Sequence, residues 1–153
     1  MTSVLVVAVL VGAALLIAPA SKIWSSSDQD RRDEALGAAR QVALNMVTMN
    51  YDTVNADVQR VLSGATGSFK DQWAGQTKTL GEELTKNQSK SQGSVLSAGV
   101  VSIDDDSAEV IVAVTSVVTN PEVPSGAARN LRFRMSLVKE HGKWLVSDFA
   151  MVR

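Results

Sequence analysis

The chain has 153 residues with 15 basic and 16 acidic side chains, a formal net charge of −1 and no cysteine. This balance lacks the basic excess typical of nucleic-acid binding, so we expect no nucleic-acid partner. A single histidine and the lack of cysteine exclude the usual zinc ligand sets, and we expect no metal or cofactor.

The N-terminal segment is apolar, and residues Met1 to Ser21 carry no charged side chain. A helix that crosses a hydrocarbon core of about 30 Å needs roughly 20 apolar residues. We therefore expect residues 1–24 to form a single transmembrane anchor helix. A cleaved signal peptide is the alternative, because Ala18-Pro19-Ala20 matches a small-residue cleavage site, although a basic start is missing.

The predicted anchor carries its own candidate contact residues. Lys22 and Trp24 have amphipathic side chains that suit the membrane interface. Small residues let helices approach closely in lipid, and three of them are adjacent here: Gly12, Ala13 and Ala14. Lys22, Arg31 and Arg32 follow the apolar run and no basic side chain precedes it, so the positive-inside rule alone favours a cytoplasmic domain.

A linker over residues 25–30 and one folded domain over residues 31–153 are expected after the anchor. The first helix should begin near Asp28 or Asp30, because acidic side chains are favoured at a helix N-terminus. Its apolar face recurs at helical spacing in Leu36, Ala39, Ala43, Met46 and Met49.

Two further helices are predicted before residue 87. Asp52 or Thr53 is expected to cap a short helix that carries Val54, Val58, Val61 and Leu62. After a turn at residues 64–67, Ser68 is expected to cap a third helix. The apolar stripe of this helix is Phe69, Trp73, Leu80 and Leu84, and the polar stretch from Asn87 to Gly93 is expected to be a loop.

After Gly93, β-branched runs replace the helical period and predict four strands. The predicted strands are Val95–Ile103, Ala108–Thr119, Arg129–Lys139 and Lys143–Val152. The second is apolar on both faces, so we expect it to be central. Residues 104–106 predict a tight turn and residues 120–128 a longer loop. Gly142 is expected to take a positive φ in a short hairpin.

Three helices followed by a four-stranded antiparallel meander predict an α+β domain with the helices on one face. A curved sheet that cups helices gives the cone-shaped nuclear transport factor 2-like fold. The cone interior would be lined by Trp73, Val112, Val114, Phe133 and Met135. These side chains either hold an apolar ligand such as a lipid tail or simply fill the core. On the outward sheet face, Arg132 and Arg134 are candidate partner contacts.

Candidates for acid–base chemistry are few, and we expect no enzymatic activity. His141 falls in the predicted hairpin turn, and Tyr51 ends the first helix. Asp148 would be the best candidate if it pointed inward beside Trp144 and Val146, whereas an outward Asp is the ordinary alternative. The three adjacent acids Asp104-Asp105-Asp106 lack the alternating spacing of a calcium loop.

The order of several segments resembles a known family. These segments are EALGAARQVALNMVTMNYDT, NADVQRVLSGATGSF, VIVAVTSVVTN and LRFRMSLVKEHGKWLVSDFAMV, behind the apolar run. Together they resemble the actinobacterial Mce-associated (mammalian-cell-entry-associated) membrane proteins, which have the cone-shaped fold. That family is also similar to the VirB-type subunits of secretion systems. Its members often have a basic stretch before the membrane helix, which is missing here, so the natural chain is expected to have a short start or a longer N-terminus.

The resemblance implies a non-enzymatic accessory subunit that stabilises or assembles an Mce-type lipid or sterol transporter. It also implies a single-pass protein of the plasma membrane whose C-terminal domain is extracytoplasmic, contrary to the orientation that the basic residues favour. Its expected partners are the bilayer and Mce transporter subunits or other envelope membrane proteins. Two alternatives remain: a carrier or enzyme that uses the cone for a small hydrophobic ligand, and a secretion- or conjugation-type scaffold.

Overall fold

The computed structural model of the chain describes residues 26–152. The predicted anchor helix over residues 1–24, with its candidate contacts Gly12, Ala13, Ala14, Lys22 and Trp24, lies outside the described residues. Within residues 26–152, no helix combines the length and the apolar character needed to cross a bilayer.

Three helices precede a meander of strands. They are α1 (Ser26–Val47), α2 (Val54–Ser63) and α3 (Gly67–Lys86), and the strands are β1 (Met49–Asn50), β2 (Lys90–Ile103), β3 (Ser107–Asn120), β4 (Val123–Glu140) and β5 (Lys143–Met151). The strands form one antiparallel sheet in the order β1-β2-β3-β4-β5. The predicted α+β class and the central place of β3 are confirmed, and the sheet has five strands rather than four.

Two predicted loops are strands instead. β2 begins at Lys90 because Ser91 pairs with Met49 on one side and Val118 on the other. The polar residues from Lys90 to Gln92 are therefore paired strand residues of the sheet. The loop expected over residues 120–128 shrinks to a tight turn, in which Asn120 Oδ1 accepts the backbone N–H groups of Glu122 and Val123.

The helix starts also differ from the sequence prediction. α1 begins at Ser26, so residues 26–30 are helical rather than a linker. α3 begins at Gly67, with Thr66 at the N-cap position. Ser68 lies inside the helix, and its hydroxyl donates to the Ser147 carbonyl at 3.1 Å instead of capping the helix. The Ser68 hydroxyl therefore links α3 to β5.

The core lies between α1 and the concave face of the sheet. The sheet contributes large side chains, and fully buried examples are Val110, Val112, Val114 and Met135. α1 contributes mainly small ones, namely Ala35, Ala39, Val42, Ala43 and Val47. Leu36 and Met46, predicted on this face, only pack partly against it. Because alanine occupies little space, α1 lies close to the strands.

A β-bulge in β5 decides which side chains point inward. Ser136 pairs with Asp148, whereas Leu137 pairs with Val146, so Ser147 is the extra residue. The bulge shifts the alternation, so that Trp144 and Val146 are buried before it and Phe149 packs on the core after it. Asp148 consequently points outward, which confirms the ordinary alternative, and it does not share a face with Trp144 and Val146.

Candidate functional sites: two open surfaces and a buried carboxylate

The predicted cone interior is solid core. Val112 and Met135 are fully buried, and Phe133 forms an edge-to-face contact with Phe149 at 5.5 Å between ring centroids. Trp73 packs partly against this cluster and contacts Phe69. Trp73, Val112, Phe133 and Met135 line none of the main cavities among residues 26–152. The fifth predicted lining residue, Val114, is fully buried and borders only the cavity that includes Leu96 and Arg132. These side chains fill the space that a cone ligand would need.

The outward sheet face carries the two predicted arginines. Arg134 Nε pairs with Glu109 Oε1 at 2.9 Å across neighbouring strands. Arg132 is exposed at the rim of a shallow cavity of about 500 Å³, together with Leu96 and Val152. Leu96 is 61% exposed because it sits at a bulge of β2 that turns it away from the core. This face is therefore a mixed basic and apolar surface.

A second open surface, which we call the α1 groove, runs between α1, the end of α2 and the start of β5. Its α1 side is a stripe that includes Glu34, Ala38 and Asn45, and its opposite side includes Arg60 and Trp144. The groove encloses about 430 Å³. No sequence pattern predicts this groove, because its residues come from three separate segments.

An ion pair fixes one end of the α1 groove. Lys139 Nζ donates to Glu34 Oε2 at 2.9 Å, and this hydrogen bond and charge hold the pKa of the Glu34 carboxyl below its usual value. The Trp144 indole N–H lowers that pKa only weakly, after a small opposing effect of burial. Trp144 Nε1 is itself buried and makes no hydrogen bond of normal geometry.

A buried carboxylate joins β1 to α2. Asp57 is 2% exposed, and its Oδ2 accepts the backbone N–H of Asn50 at 2.8 Å. The Thr53 hydroxyl donates to the same carboxylate, and Arg60 forms an ion pair with Oδ1. The local sequence pattern alone does not mark Asp57 as buried. Its spacing to Thr53 and Arg60, four and three residues away, is the signal that could have revealed the cluster.

The residues considered for acid–base chemistry do not converge. His141 is exposed in the β4–β5 turn, where both His141 and Gly142 take a positive φ, as expected for Gly142. Tyr51 is half-buried beneath the Lys90 ammonium, 5.0 Å from the ring centroid. Asp105 pairs with Arg31 at 3.0 Å. Among residues 26–152, no cluster of His, Asp and Glu could hold a metal ion.

Sequence comparison places the whole chain in a family. A family model described as "Uncharacterized protein Rv1363c/MT1408-like" matches residues 1–153. The chain belongs to this family. It is 26% identical over 134 residues to uncharacterized protein Rv1363c of Mycobacterium tuberculosis, which covers 85% of the chain and 51% of that protein. The chain thus spans about half the length of this relative.

A second relative has a more informative name. The chain is 28% identical over 120 residues to outer membrane protein Rv1973 of Mycobacterium tuberculosis, which covers 77% of the chain and 74% of that protein.

Solved structures with a similar fold come from secretion systems. An IcmL-like type IV secretion system protein from Legionella pneumophila has a TM-score of 0.65 at 15% identity, over 79% of this chain and 91% of its own. The periplasmic domain of DotI also has a TM-score of 0.65, at 14% identity over 86% and 98%. CagV, a VirB8 homolog of Helicobacter pylori, has a TM-score of 0.61 at 7% identity over 78% and 97%. These TM-scores establish a common fold, and at such low identities they establish the fold alone. The expected similarity to VirB-type domains is confirmed at that level.

Proposed function

We propose that this protein is a membrane-anchored, non-enzymatic accessory subunit that holds an envelope complex together. The observation that carries the proposal is a filled interior beneath two open surfaces. Val112, Phe133 and Met135 occupy the space where a cone enzyme or carrier would hold its ligand. The outward sheet face and the α1 groove remain available to other proteins. A domain of this kind acts through contacts rather than through chemistry.

The placement of the ionisable residues supports a role without catalysis. General acid–base chemistry needs titratable groups that meet at one site within hydrogen-bond reach of a substrate. Here His141 lies in an exposed turn, and Asp148 points outward. The buried carboxylate of Asp57 is already occupied by Asn50, Thr53 and Arg60. No such site is assembled among the described residues.

The anchor and its orientation belong to the same proposal. The apolar run within residues 1–24 would hold the protein in the plasma membrane as a single span, and the folded domain would be extracytoplasmic. Similarity to the periplasmic domain of DotI and to an outer membrane protein supports this side of the membrane. The basic residues after the run favour the opposite orientation. We give more weight to the two similarities, because the orientation from the positive-inside rule depends here on only three basic side chains.

The partner complex is proposed from two lines of support. The sequence resemblance to Mce-associated proteins favours a transporter of lipids or sterols. The similarity in fold to an IcmL-like protein and to CagV favours a secretion- or conjugation-type scaffold. In both complexes the chain would act as a scaffold subunit. The identity of the proteins that bind it distinguishes between the two.

Affinity purification of the tagged full chain from gently solubilised native membranes tests the proposal. We expect mass spectrometry to recover subunits of one envelope machine in constant ratio: Mce transporter subunits on the first reading, secretion subunits on the second. A fusion that keeps residues 1–24 but replaces residues 26–152 with an unrelated soluble domain is the control, and it should lose these proteins. Recovery of the chain alone under gentle extraction contradicts the proposal. Native mass spectrometry on the same sample detects co-purified lipid, which would instead support a carrier.

A further inference from the structure

The sheet has an open edge where β5 ends. β5 pairs with β4 as far as Phe133, and just beyond it the Val152 N–H donates to the Arg132 carbonyl at 2.9 Å. Residues 127–131 of β4, which we call the β4 edge, pair only with β3 among the described residues. Residues 127–130 are exposed and Leu131 is half-buried. This stretch therefore has a neighbouring strand on one side and solvent on the other.

The backbone of the β4 edge presents unpaired groups to solvent. The N–H and C=O groups of successive strand residues point to opposite sides, and the Arg132 carbonyl points toward β5. The N–H and C=O groups of Ala128 and Asn130 therefore point to that same, open side. No residue among 26–152 forms a hydrogen bond with them there. Such a row of groups is a template for pairing with another strand.

The other edges of the sheet are interrupted or covered. β2 carries two bulges, near Leu96 and Val101, which break the row of edge groups. β5 is covered near its start, because the Val146 N–H donates to the Gly64 carbonyl and the Val146 carbonyl accepts from the Thr66 N–H. The β4 edge keeps a continuous register instead. Within the described part of the chain, it is the edge at which strand pairing is least hindered.

The β4 edge also lies away from the start of the folded domain. Arg31, in α1, pairs with Asp105 in the β2–β3 turn at 3.0 Å. β3 begins beside that turn at Ser107 and reaches Thr115, opposite Asn130, after about 27 Å. The first turns of α1 therefore do not obstruct a strand that approaches the β4 edge.

A cavity beside the β4 edge can accept side chains from an added strand. This shallow cavity of about 500 Å³ is bordered by Asn130 and Arg132 of β4 and by the apolar side chains of Leu96 and Val152. Leu96 is 61% exposed and Val152 is 40% exposed, so both are accessible. Side chains of a strand point alternately to the two faces of a sheet, and every second one would thus lie toward the cavity. Open backbone groups next to an apolar cavity fit an extended segment with apolar side chains.

We propose that the β4 edge binds an extended, apolar segment of a partner protein as an additional β-strand. The segment continues the sheet at the position that β5 leaves open, with main-chain hydrogen bonds to Ala128 and Asn130. Alternate apolar side chains of the segment lie in the cavity at Leu96 and Val152 and supply specificity. This inference rests on the proposed scaffold role, because it names the edge through which a partner is held.

Selection of phage-displayed random peptides on the full chain in mild detergent tests the inference. We expect enrichment of peptides in which apolar residues recur at every second position, and no enrichment contradicts it. The selected peptide is then titrated into ¹⁵N-labelled protein. Exchange of the Ala128 and Asn130 amide hydrogens with solvent should slow about tenfold or more at saturation, whereas that of the exposed Lys70 should not change. Unchanged exchange at Ala128 and Asn130 overturns the proposal.

Modified peptides test strand pairing without altering the protein. N-methylation of every second peptide residue removes the backbone donors on one side of the bound strand. Methylation of the residues that face β4 should weaken binding about tenfold or more, whereas methylation of the intervening residues should change it by about twofold or less. Equal effects of the two methylated peptides contradict an added strand.

Two substitutions with matched controls locate the site. Ala128→Pro removes the open N–H but no hydrogen bond to β3, and it should weaken peptide binding about tenfold, whereas Ala128→Ser keeps the N–H and should bind like the wild type. Leu96→Asp places a charge in the cavity and should weaken binding about tenfold. Val101→Asp, at the other bulge of β2 and outside the cavity, should not. Equal effects of variant and control contradict the proposed site.

The outcome separates this inference from the scaffold role. If the Ala128→Pro and Leu96→Asp chains still recover the full complex from membranes, the edge assignment fails and the scaffold role stands. If the wild-type chain recovers no complex but binds the selected peptides at Ala128, the scaffold role fails and the edge assignment stands. Co-purification of two differently tagged copies that Ala128→Pro abolishes would show a second copy on the edge and overturn the assignment to a partner protein.

Discussion

The buried carboxylate of Asp57 should be a principal determinant of stability. Asp57→Ala removes the acceptor of the Asn50 backbone N–H, at 2.8 Å, and of the Thr53 hydroxyl, at 3.1 Å. Hydrogen bonds to a charged group contribute about 1.5–3 kcal/mol each when they are shielded from water. The Arg60 guanidinium is 51% exposed and regains water, so its share is small. We expect the free energy of unfolding to fall by about 3 kcal/mol.

The variant Asp57→Asn refines this estimate. It keeps the size of the side chain and one accepting oxygen for the Asn50 N–H, but it loses the charge that attracts Arg60. We expect the free energy of unfolding to fall by about 1.5 kcal/mol, which is less than the loss expected for Asp57→Ala. Asp52→Asn is the matched control, because Asp52 forms a surface ion pair with Lys90 at 3.2 Å and is 54% exposed. A surface pair of this kind contributes less than about 1 kcal/mol.

Urea unfolding of the full chain in mild detergent measures these differences. The near-ultraviolet circular dichroism signal, to which the buried Trp144 contributes, monitors the transition. The slope of the transition should stay constant, so that the midpoint reports stability. If Asp57→Ala lost no more stability than Asp52→Asn, the carboxylate would not join β1 to α2 as described, and the reasoning would be refuted.

Two further outcomes concern packing and pH. Gly93→Ala should cost about 2 kcal/mol of unfolding free energy, because the added Cβ would overlap Val47 Cγ2, whereas Gly99→Ala, with open space around it, should have little effect. Glu34→Gln removes the ion pair with Lys139, which lowers the pKa of Glu34 in the folded state. The stabilisation by this pair is therefore fully present above the ordinary pKa near 4.5, and it is lost as the pH falls through the lowered pKa. The difference in urea midpoint between wild type and Glu34→Gln should thus be larger at neutral pH than in acid, and a constant difference would contradict the role of Lys139.

Local periodicity predicted the elements well where one face of the element is buried. In β4, Leu131, Phe133 and Met135 alternate with polar residues, and these side chains point to the core as expected. β3 was correctly placed at the centre because both its faces are apolar. Such patterns report directly on burial, which is the dominant contribution to folding.

Features that depend on distant partners were not predictable in the same way. The bulge at Ser147, which turns Asp148 outward, is a property of the pairing between β4 and β5. The strand character of Ser91 depends on Met49, far away in sequence. The α1 groove and the Asp57 cluster arise only when separate segments come together. No short window of sequence contains these relationships.

The most direct test of the scaffold role is the size and composition of the particle that contains this chain in native membranes. Blue native electrophoresis after gentle solubilisation, with detection of a tagged full chain, measures both. The account predicts a single large band in which the chain migrates with other envelope membrane subunits. Migration of the chain by itself, at the size of a free monomer in detergent, would contradict it.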